Sequence, residues 1–496
     1  MAEVRAASAG RASIYTLLGT VLNAGLAFVI VGMVSNTLGA FHTGTFFQGI
    51  ALFSVTATAI VMGTDTTMVR TASRLTALGE KQQLWRILAT VLATVLVVSV
   101  AVTALVWWSA PGIAGVLADQ GHADRLSSVI RALVPFLPAA ALLATLLGAS
   151  RGLGQLFPYT LIQNTLLPVA RVLTIAVAAS GSVSLVVLVF AWGAPLALAA
   201  ALAGLVVLYA WRRSSHQGHE RPASGDMRAF WGFALPRGAA ALVERALEWV
   251  DVLLVIALAG PATGGIYAVV RRVAAAGGLL ESTMRIVTGP MVSRAFARQE
   301  IAEVGTLFRH GSAVLLLLSG PVYVSLIVFA DPVLSLFGPE FPAGSQALAI
   351  VAVAFLVESA CGMLQTILLM AGRSHWQLRN KLVQLAVLVV GVLALVPSLG
   401  LRGAAVAWAG GVLVNLLLAA GQVARLCGVR PSLRAAALPL LLVGVCFGLL
   451  PLVAKLIWGQ GILTLLGSLG VSGIIYLGFC YRLRYQLPLA AFWDRT

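Results

Sequence analysis

Apolar runs of about twenty residues recur from one end of this chain to the other, and no other feature constrains its fold as tightly. A helix needs about 20 apolar residues to cross a hydrocarbon core about 30 Å thick. Fourteen stretches qualify: 13–36, 43–68, 87–110, 127–150, 157–179, 184–211, 229–259, 264–293, 306–330, 344–371, 376–397, 401–425, 435–455 and 461–481. They are long and continuous, without the ten-residue alternation of a membrane barrel. Of 496 residues 60% are hydrophobic and 10% charged, where soluble domains carry about 25% charged residues. The expected fold is therefore all-α, a polytopic membrane protein of about fourteen transmembrane helices. The first run follows Arg5 and Arg11 and is too long for a signal-peptide core, so it reads as a retained helix.

Loop charges set the expected orientation. With the N-terminus inside, 23 of the 33 Lys and Arg residues fall in cytoplasmic segments, Lys381 among them, and about four in outer ones: Arg125, Arg131, Arg402 and Lys455. That asymmetry is the positive-inside bias, and it implies an even helix number with both termini cytoplasmic. The longest polar connector, "RRSSHQGHERPASGDMR" from Arg212, sits near the middle. The expected organisation is a six-helix half over 1–211, a cytoplasmic linker over 212–228, a second six-helix half over 229–430, and two extra helices with a tail over 431–496. The halves show an internal match: "TGTFFQG" at Thr43 lies opposite "TGGIYAV" at Thr263, Ser73-Arg74 opposite Ser293-Arg294, and "ASRGLGQL" at Ala149 opposite "AGRSHWQL" at Ala371. Three matches at nearly one offset suggest duplication, and an offset of six helices preserves membrane orientation, as in parallel-repeat transporters.

The stretch "RGAAALVERALEWVDVLLVIALAG" from Arg237 places five charges inside a candidate span. Each costs about 2.5 kcal/mol or more in hydrocarbon. Glu244, Glu248 and Asp251 share one helical face at i, i+4 and i+7, with Arg237 two turns earlier on the same stripe, while Arg245 projects elsewhere. The next helix carries Arg271, Arg272, Glu281 and Arg285, the last two spaced for an i, i+4 pair. Asp65, Arg171 and Glu358 are isolated intramembrane charges. Each could be an interhelical ion pair or an interfacial snorkeller; as a set they suit a hydrated cavity. Arginine forks there would take a phosphate or pyrophosphate, and Arg171, Arg271, Arg272 and Arg285 are the expected anion-binding residues. Carboxylates there could carry H⁺ or Na⁺, and Asp65, Glu244, Glu248, Asp251 and Glu358 are the coupling candidates.

Other chemistry is sparse. Cys361, Cys427, Cys446 and Cys480 form no CxxC or Cys/His cluster, so no metal site or disulfide scaffold is expected. "SRGLG" at Ser150 lacks Walker spacing and no H-E-x-x-H is present, so no catalytic residue is expected. The net charge of +16 is not gathered into a basic module, which argues against nucleic acid. Trp107, Trp108, Trp211, Trp231 and Trp458 lie near span ends as interface anchors.

The 6+6+2 plan, "ALFSVTATAIVMGTDTTMVRTASRLTALGEKQQL" from Ala51 and "FALPRGAAALVERALEWVDVLLVIALAGPATGGIYAVVRRVA" from Phe233 resemble the polysaccharide (Wzx-type) flippases of the multidrug/oligosaccharidyl-lipid/polysaccharide exporter superfamily. The resemblance covers most of residues 10–430. It implies a carrier in the cytoplasmic (inner) membrane, not an enzyme, that moves a polyprenyl-pyrophosphate-linked oligosaccharide outward for cell-surface polysaccharide biosynthesis. It also implies two halves rocking about a cationic V-shaped lumen, and Arg271 and Arg272 fit that lining by position. The expected partners are the lipid-linked oligosaccharide, membrane lipids and a polysaccharide polymerase or ligase, with no cofactor beyond coupling H⁺ or Na⁺. The acidic seventh helix departs from the family pattern. A peptidoglycan-precursor flippase, an ion-coupled multidrug antiporter, or a polytopic glycan polymerase or glycosyltransferase are the alternatives; the short outer loops argue against the enzyme.

Overall fold

The computed structural model describes residues 2–118, 121–181, 184–213, 224–429, 433–459 and 461–483. Most of the central linker, and with it His216 and His219, lies outside them. Every regular element among the described residues is a helix. Eleven helical runs are long and apolar enough to cross a membrane, and the chain is a multi-pass membrane protein.

Two compact units are present, Met1–Gly265 and Ile266–Thr496. The first holds α1 (Ala2–Val61), α2 (Thr64–Ala77), α3 (Lys81–Leu117), α4 (Ala123–Leu133), α5 (Leu137–Gly152), α6 (Leu156–Tyr159), α7 (Leu167–Ser180), α8 (Leu185–Gly193), α9 (Pro195–Arg212) and most of α10 (Ser224–Ala274). The second holds the end of α10, α11 (Gly278–Ala297), α12 (Ile301–Val328), α13 (Ala330–Ser335), α14 (Ser345–Ala360), α15 (Met363–Met370), α16 (Ser374–Cys427), α17 (Leu433–Val443), α18 (Leu450–Trp458) and α19 (Ile462–Arg482). Each unit is defined by contacts within itself, a different division from the repeat-related halves expected on either side of the linker.

Three helical runs, α1, α10 and α16, span 60, 51 and 54 residues. At 1.5 Å per residue each would extend over 75 Å or more, far beyond a core of about 30 Å. Each is interrupted by a glycine at positive φ: Gly39 (69°), Gly260 (81°) and Gly400 (53°). Residues with a Cβ avoid that region, so glycine is the residue that can break a helix there without penalty. The consequence is plainest in α16. Gly403 packs on the Leu395 carbonyl, Gly391 on Ala407 and Gly411 on the Gln384 carbonyl, so the two limbs run antiparallel about Gly400.

At the far end of that hairpin, Asn380 and Gln422 exchange amide hydrogen bonds of 2.8 Å in each direction, with both side chains buried. Asn380→Ala leaves the Gln422 amide buried without its partner, which costs about 1–3 kcal/mol. We expect a clear fall in melting temperature in detergent, partly recovered by pairing Asn380→Leu with Gln422→Leu; an unchanged melting temperature would remove the pair from the account.

Turns divide some of the expected spans: 344–371 breaks at Cys361–Gly362, and 43–68 at Met62–Gly63. The run 43–68 stops at Val61 and restarts at Thr64, because Met62 and Gly63 both have positive φ, 49° and 73°. The cause is a close crossing within the first unit: a Cβ on Gly63 would stand 2.5 Å from the Ala234 carbonyl oxygen, and one on Gly238 2.5 Å from the Met62 carbonyl carbon. At the other end of the same stretch, Gly44 meets the Pro261 carbonyl and Gly265 the Ala40 carbonyl. Residues 40–63 and 234–265 therefore lie antiparallel, backbone against backbone.

In the second unit Val292, Phe308, Met363, Ile367 and Val423 form a buried core that joins α11, α12, α15 and α16. The last helices pack on α12 through Leu317, Val443, Phe447 and Tyr476, and the Tyr476 hydroxyl donates to the Leu317 carbonyl at 2.7 Å.

Candidate substrate-binding site

The second unit gathers charge from four helices. Arg271 and Arg272 occupy the last turn of α10. A short tight turn, Ala275–Gly277, precedes α11, whose first turn carries Glu281. Arg285 follows one turn later and its Nη2 donates to Glu281 Oε1 at 3.1 Å, as the i, i+4 spacing predicts. Its side chain is 45% exposed against 19% for Glu281, so the guanidinium has donors to spare toward open space. Glu358, near the C-terminus of α14, lies within the fields of Glu281, Arg285, Arg271 and Lys381.

An aromatic column fixes Arg271. Its guanidinium lies 4.2 Å from the ring centroid of Trp408 on α16. Trp408 in turn meets Phe355 at 4.7 Å, and Phe355 stacks on Tyr323 at 5.4 Å with rings 2° from parallel. Gly277 makes room for that column, since a Cβ there would sit 2.4 Å from the Tyr323 hydroxyl oxygen. Stacking on an indole face fixes the plane of a guanidinium. Arg272, the next residue, projects about 100° away around the helix.

Arg271, Arg285 and Lys381 against Glu281 and Glu358 leave an excess of positive charge in this cluster. Such a set can take a phosphate or pyrophosphate through charge-assisted hydrogen bonds, with the carboxylates restraining how strongly it is held.

The first unit holds the remaining candidates. Arg237 Nη2 lies 3.8 Å from Glu244 Oε2, and Arg245 Nη1 2.6 Å from Glu248 Oε2. Arg245, expected to project off the acidic stripe, instead reaches Glu248 at i+3. Asp251 is fully buried, and its Oδ1 accepts from the Val252 N–H at 2.9 Å. Asp65 opens α2 immediately after the Met62–Gly63 break, where its carbonyl is approached by Gly148 of α5. Arg171 of α7 donates from Nε to the Trp192 carbonyl at 3.2 Å and lies 3.9 Å from the centre of the Trp192 ring, tying α7 to α8.

The expected anion set is thus divided: Arg271, Arg272 and Arg285 belong to the second unit and Arg171 to the first. Among the expected coupling residues Glu358 belongs to the second unit, and Asp65, Glu244, Glu248 and Asp251 to the first. Lys381 and the Tyr323–Phe355–Trp408 column are not among the site residues expected from sequence. Lys381 reads in sequence as a loop charge, yet it lies in the second turn of α16. A lysine followed by a long apolar run interrupted only by Gln384 is the signal that points to it.

The family described as polysaccharide biosynthesis protein matches residues 9–296, and the MatE family matches residues 236–395. The probable low-salt glycan biosynthesis flippase Agl15 of Haloferax volcanii is 24% identical over 219 residues, 44% of this chain and 46% of that protein. The match therefore spans less than half the length of that relative. Among solved structures, the lipid II flippase MurJ in an inward closed conformation aligns with a TM-score of 0.76 at 11% identity, over 95% of this chain and 99% of that one. A multidrug resistance MATE family transporter in an inward-facing conformation gives 0.65 at 14% identity, over 83% and 98%. A transporter from Pyrococcus furiosus gives 0.61 at 15% identity, over 84% and 95%. At these identities the structural likeness is one of fold. With more than half of its residues matched, this chain belongs to the polysaccharide biosynthesis protein family of the multidrug/oligosaccharidyl-lipid/polysaccharide exporter superfamily.

Proposed function

We propose that the protein is a flippase that carries a polyprenyl-pyrophosphate-linked oligosaccharide across the cytoplasmic membrane by alternating access, with both termini cytoplasmic. The observation that supports this best is the cationic cluster of Arg271, Arg285 and Lys381, with Arg271 held on Trp408. An enzyme would need catalytic groups beside the glycan; a carrier needs a place where a pyrophosphate is held and then released. In this reading fourteen crossings arise by dividing the three long runs among the eleven at Gly39, Gly260 and Gly400. The repeat-related halves over 1–211 and 229–430 then move against each other, and a polymerase or ligase uses the delivered glycan.

Glu358 is the proposed coupling carboxylate, because it shares its electrostatic surroundings with the cationic residues. Glu244 and Glu248 already carry arginine partners at 3.8 and 2.6 Å. Protonation or Na⁺ binding at Glu358 would raise the positive field on the substrate anion, and release of the cation would lower it. The experiment is transbilayer movement of the lipid-linked oligosaccharide in proteoliposomes under imposed H⁺ or Na⁺ gradients. The wild type should accelerate with one of them. Glu358→Gln should lose that response while Glu248→Gln keeps it. Equal gradient responses in all three proteins would remove Glu358 from the coupling.

A further inference from the structure

Where α2 turns into α3, the first turns of α10 cover a cleft of about 100 Å³ that shares no residue with the cluster around Arg271. It has room for about three waters at ~30 Å³ each, and so for one tetrahedral phosphate. Its polar lining includes Arg70, Thr71, Arg74 and Gln83, and its apolar wall Phe230 and Phe233. Arg70 and Arg74 are one turn apart on the same face of α2, a like-charged spacing that destabilises a helix when nothing answers it. No carboxylate pairs with either among the described residues. The Arg70 guanidinium is nonetheless held in place, 4.4 Å from the ring centroid of Phe233. Two guanidinium groups without a carboxylate partner, one of them held on an aromatic ring, at the rim of an apolar-walled cleft match a ligand with a phosphate at one end and hydrocarbon at the other. Trp231 packs edge-on to Phe230 at 5.5 Å, and such aromatics mark the headgroup level of a bilayer.

We infer that this cleft binds the phosphate of an anionic phospholipid, with Arg70 and Arg74 on the phosphate oxygens and the glycerol end against Phe233. Bound there, the lipid touches α2, α3 and α10 at once and stabilises their packing. The inference is independent of what the protein transports. A free phosphate offers the same oxygens, so the test separates the two sources. Purified full-length protein in neutral detergent is titrated with dioctanoyl phosphatidylglycerol, with dioctanoyl phosphatidylcholine and with inorganic phosphate, and its melting temperature is followed. Phosphatidylglycerol should give a saturable rise and phosphatidylcholine a far weaker one. Arg70→Gln/Arg74→Gln should weaken the phosphatidylglycerol midpoint tenfold or more. Thr71→Glu, which leaves both arginines in place but gives them a carboxylate, should weaken it to a similar extent and decides the matter if the double variant fails to fold. An equal response to phosphatidylglycerol in the wild type and in whichever variants fold would overturn the site. A saturable response to inorganic phosphate that matches the lipid and vanishes in the same variants would overturn the lipid as its source.

Discussion

Replacing Arg271 and Lys381 together by alanine is expected to reduce transport of the lipid-linked oligosaccharide about a hundredfold or more, with the protein still folded. Charge-assisted hydrogen bonds contribute about 1.5–3 kcal/mol each, and every 1.4 kcal/mol is a factor of about ten. Removing two such contacts therefore exceeds two orders of magnitude if both act on the moving anion. Arg271 reaches the cluster from α10, held on Trp408 at 4.2 Å, and Lys381 from α16. Arg271→Lys keeps the charge but loses the fork and the stacking geometry, and should fall between, about tenfold down. The reading is by initial flipping rates in proteoliposomes at equal protein incorporation. Wild-type rates in the double variant would return both residues to a structural role.

The second large effect concerns folding. Gly44→Ala should destabilise the protein by about 3 kcal/mol or more, whereas Gly25→Ala on the same helical run should be neutral or slightly stabilising. A Cβ on Gly44 would stand 1.9 Å from the Pro261 carbonyl oxygen, and one on Gly265 2.1 Å from the Ala40 carbonyl oxygen. Those neighbours are backbone, so no rotamer change relieves the overlap, and overpacking of this kind costs 1–3 kcal/mol even where side chains can adjust. A Cβ on Gly25 would meet nothing within 4 Å, and alanine is the better helix former by up to about 1 kcal/mol. The two substitutions are chemically identical, so opposite signs isolate the crossing. Melting temperature and the monodisperse fraction after gel filtration provide the measurement; equal effects would mean that residues 40–44 and 261–265 are not in close contact in solution.

That crossing also shows what is legible in the sequence. Thr43-Gly44 and Thr263-Gly264 were matched as repeat equivalents, and the structure packs these two segments against one another. Long apolar runs fixed the helical, membrane-spanning class because hydrocarbon leaves the backbone few alternatives. The positive-φ glycines at 260 and 400 fall in the gaps between the predicted runs. The break at Met62–Gly63 did not stand out, since hydropathy continues through it and the cause is the backbone of Ala234 and Gly238, far away in sequence. The site was less legible still. Helical spacing found the Glu281–Arg285 pair, which is local, but not the placement of Arg271 on Trp408, 137 residues later. It set Arg171 beside Arg271 as a candidate of the same kind, although a carbonyl and an indole ring in the first unit already engage it. Periodicity reports which face of a helix a residue occupies, and tertiary contacts decide what that face meets.

The central claim is that this chain moves a lipid-linked glycan and does not modify it. The most direct measurement reconstitutes the purified protein in liposomes carrying a polyprenyl-pyrophosphate oligosaccharide on the inner leaflet, with a glycan-modifying enzyme outside. Flipping predicts that the glycan becomes accessible to that enzyme over time, unchanged in size and dependent on Arg271 and Lys381. A glycan that stays inside the vesicle, or one that is elongated or transferred without crossing, would contradict the account.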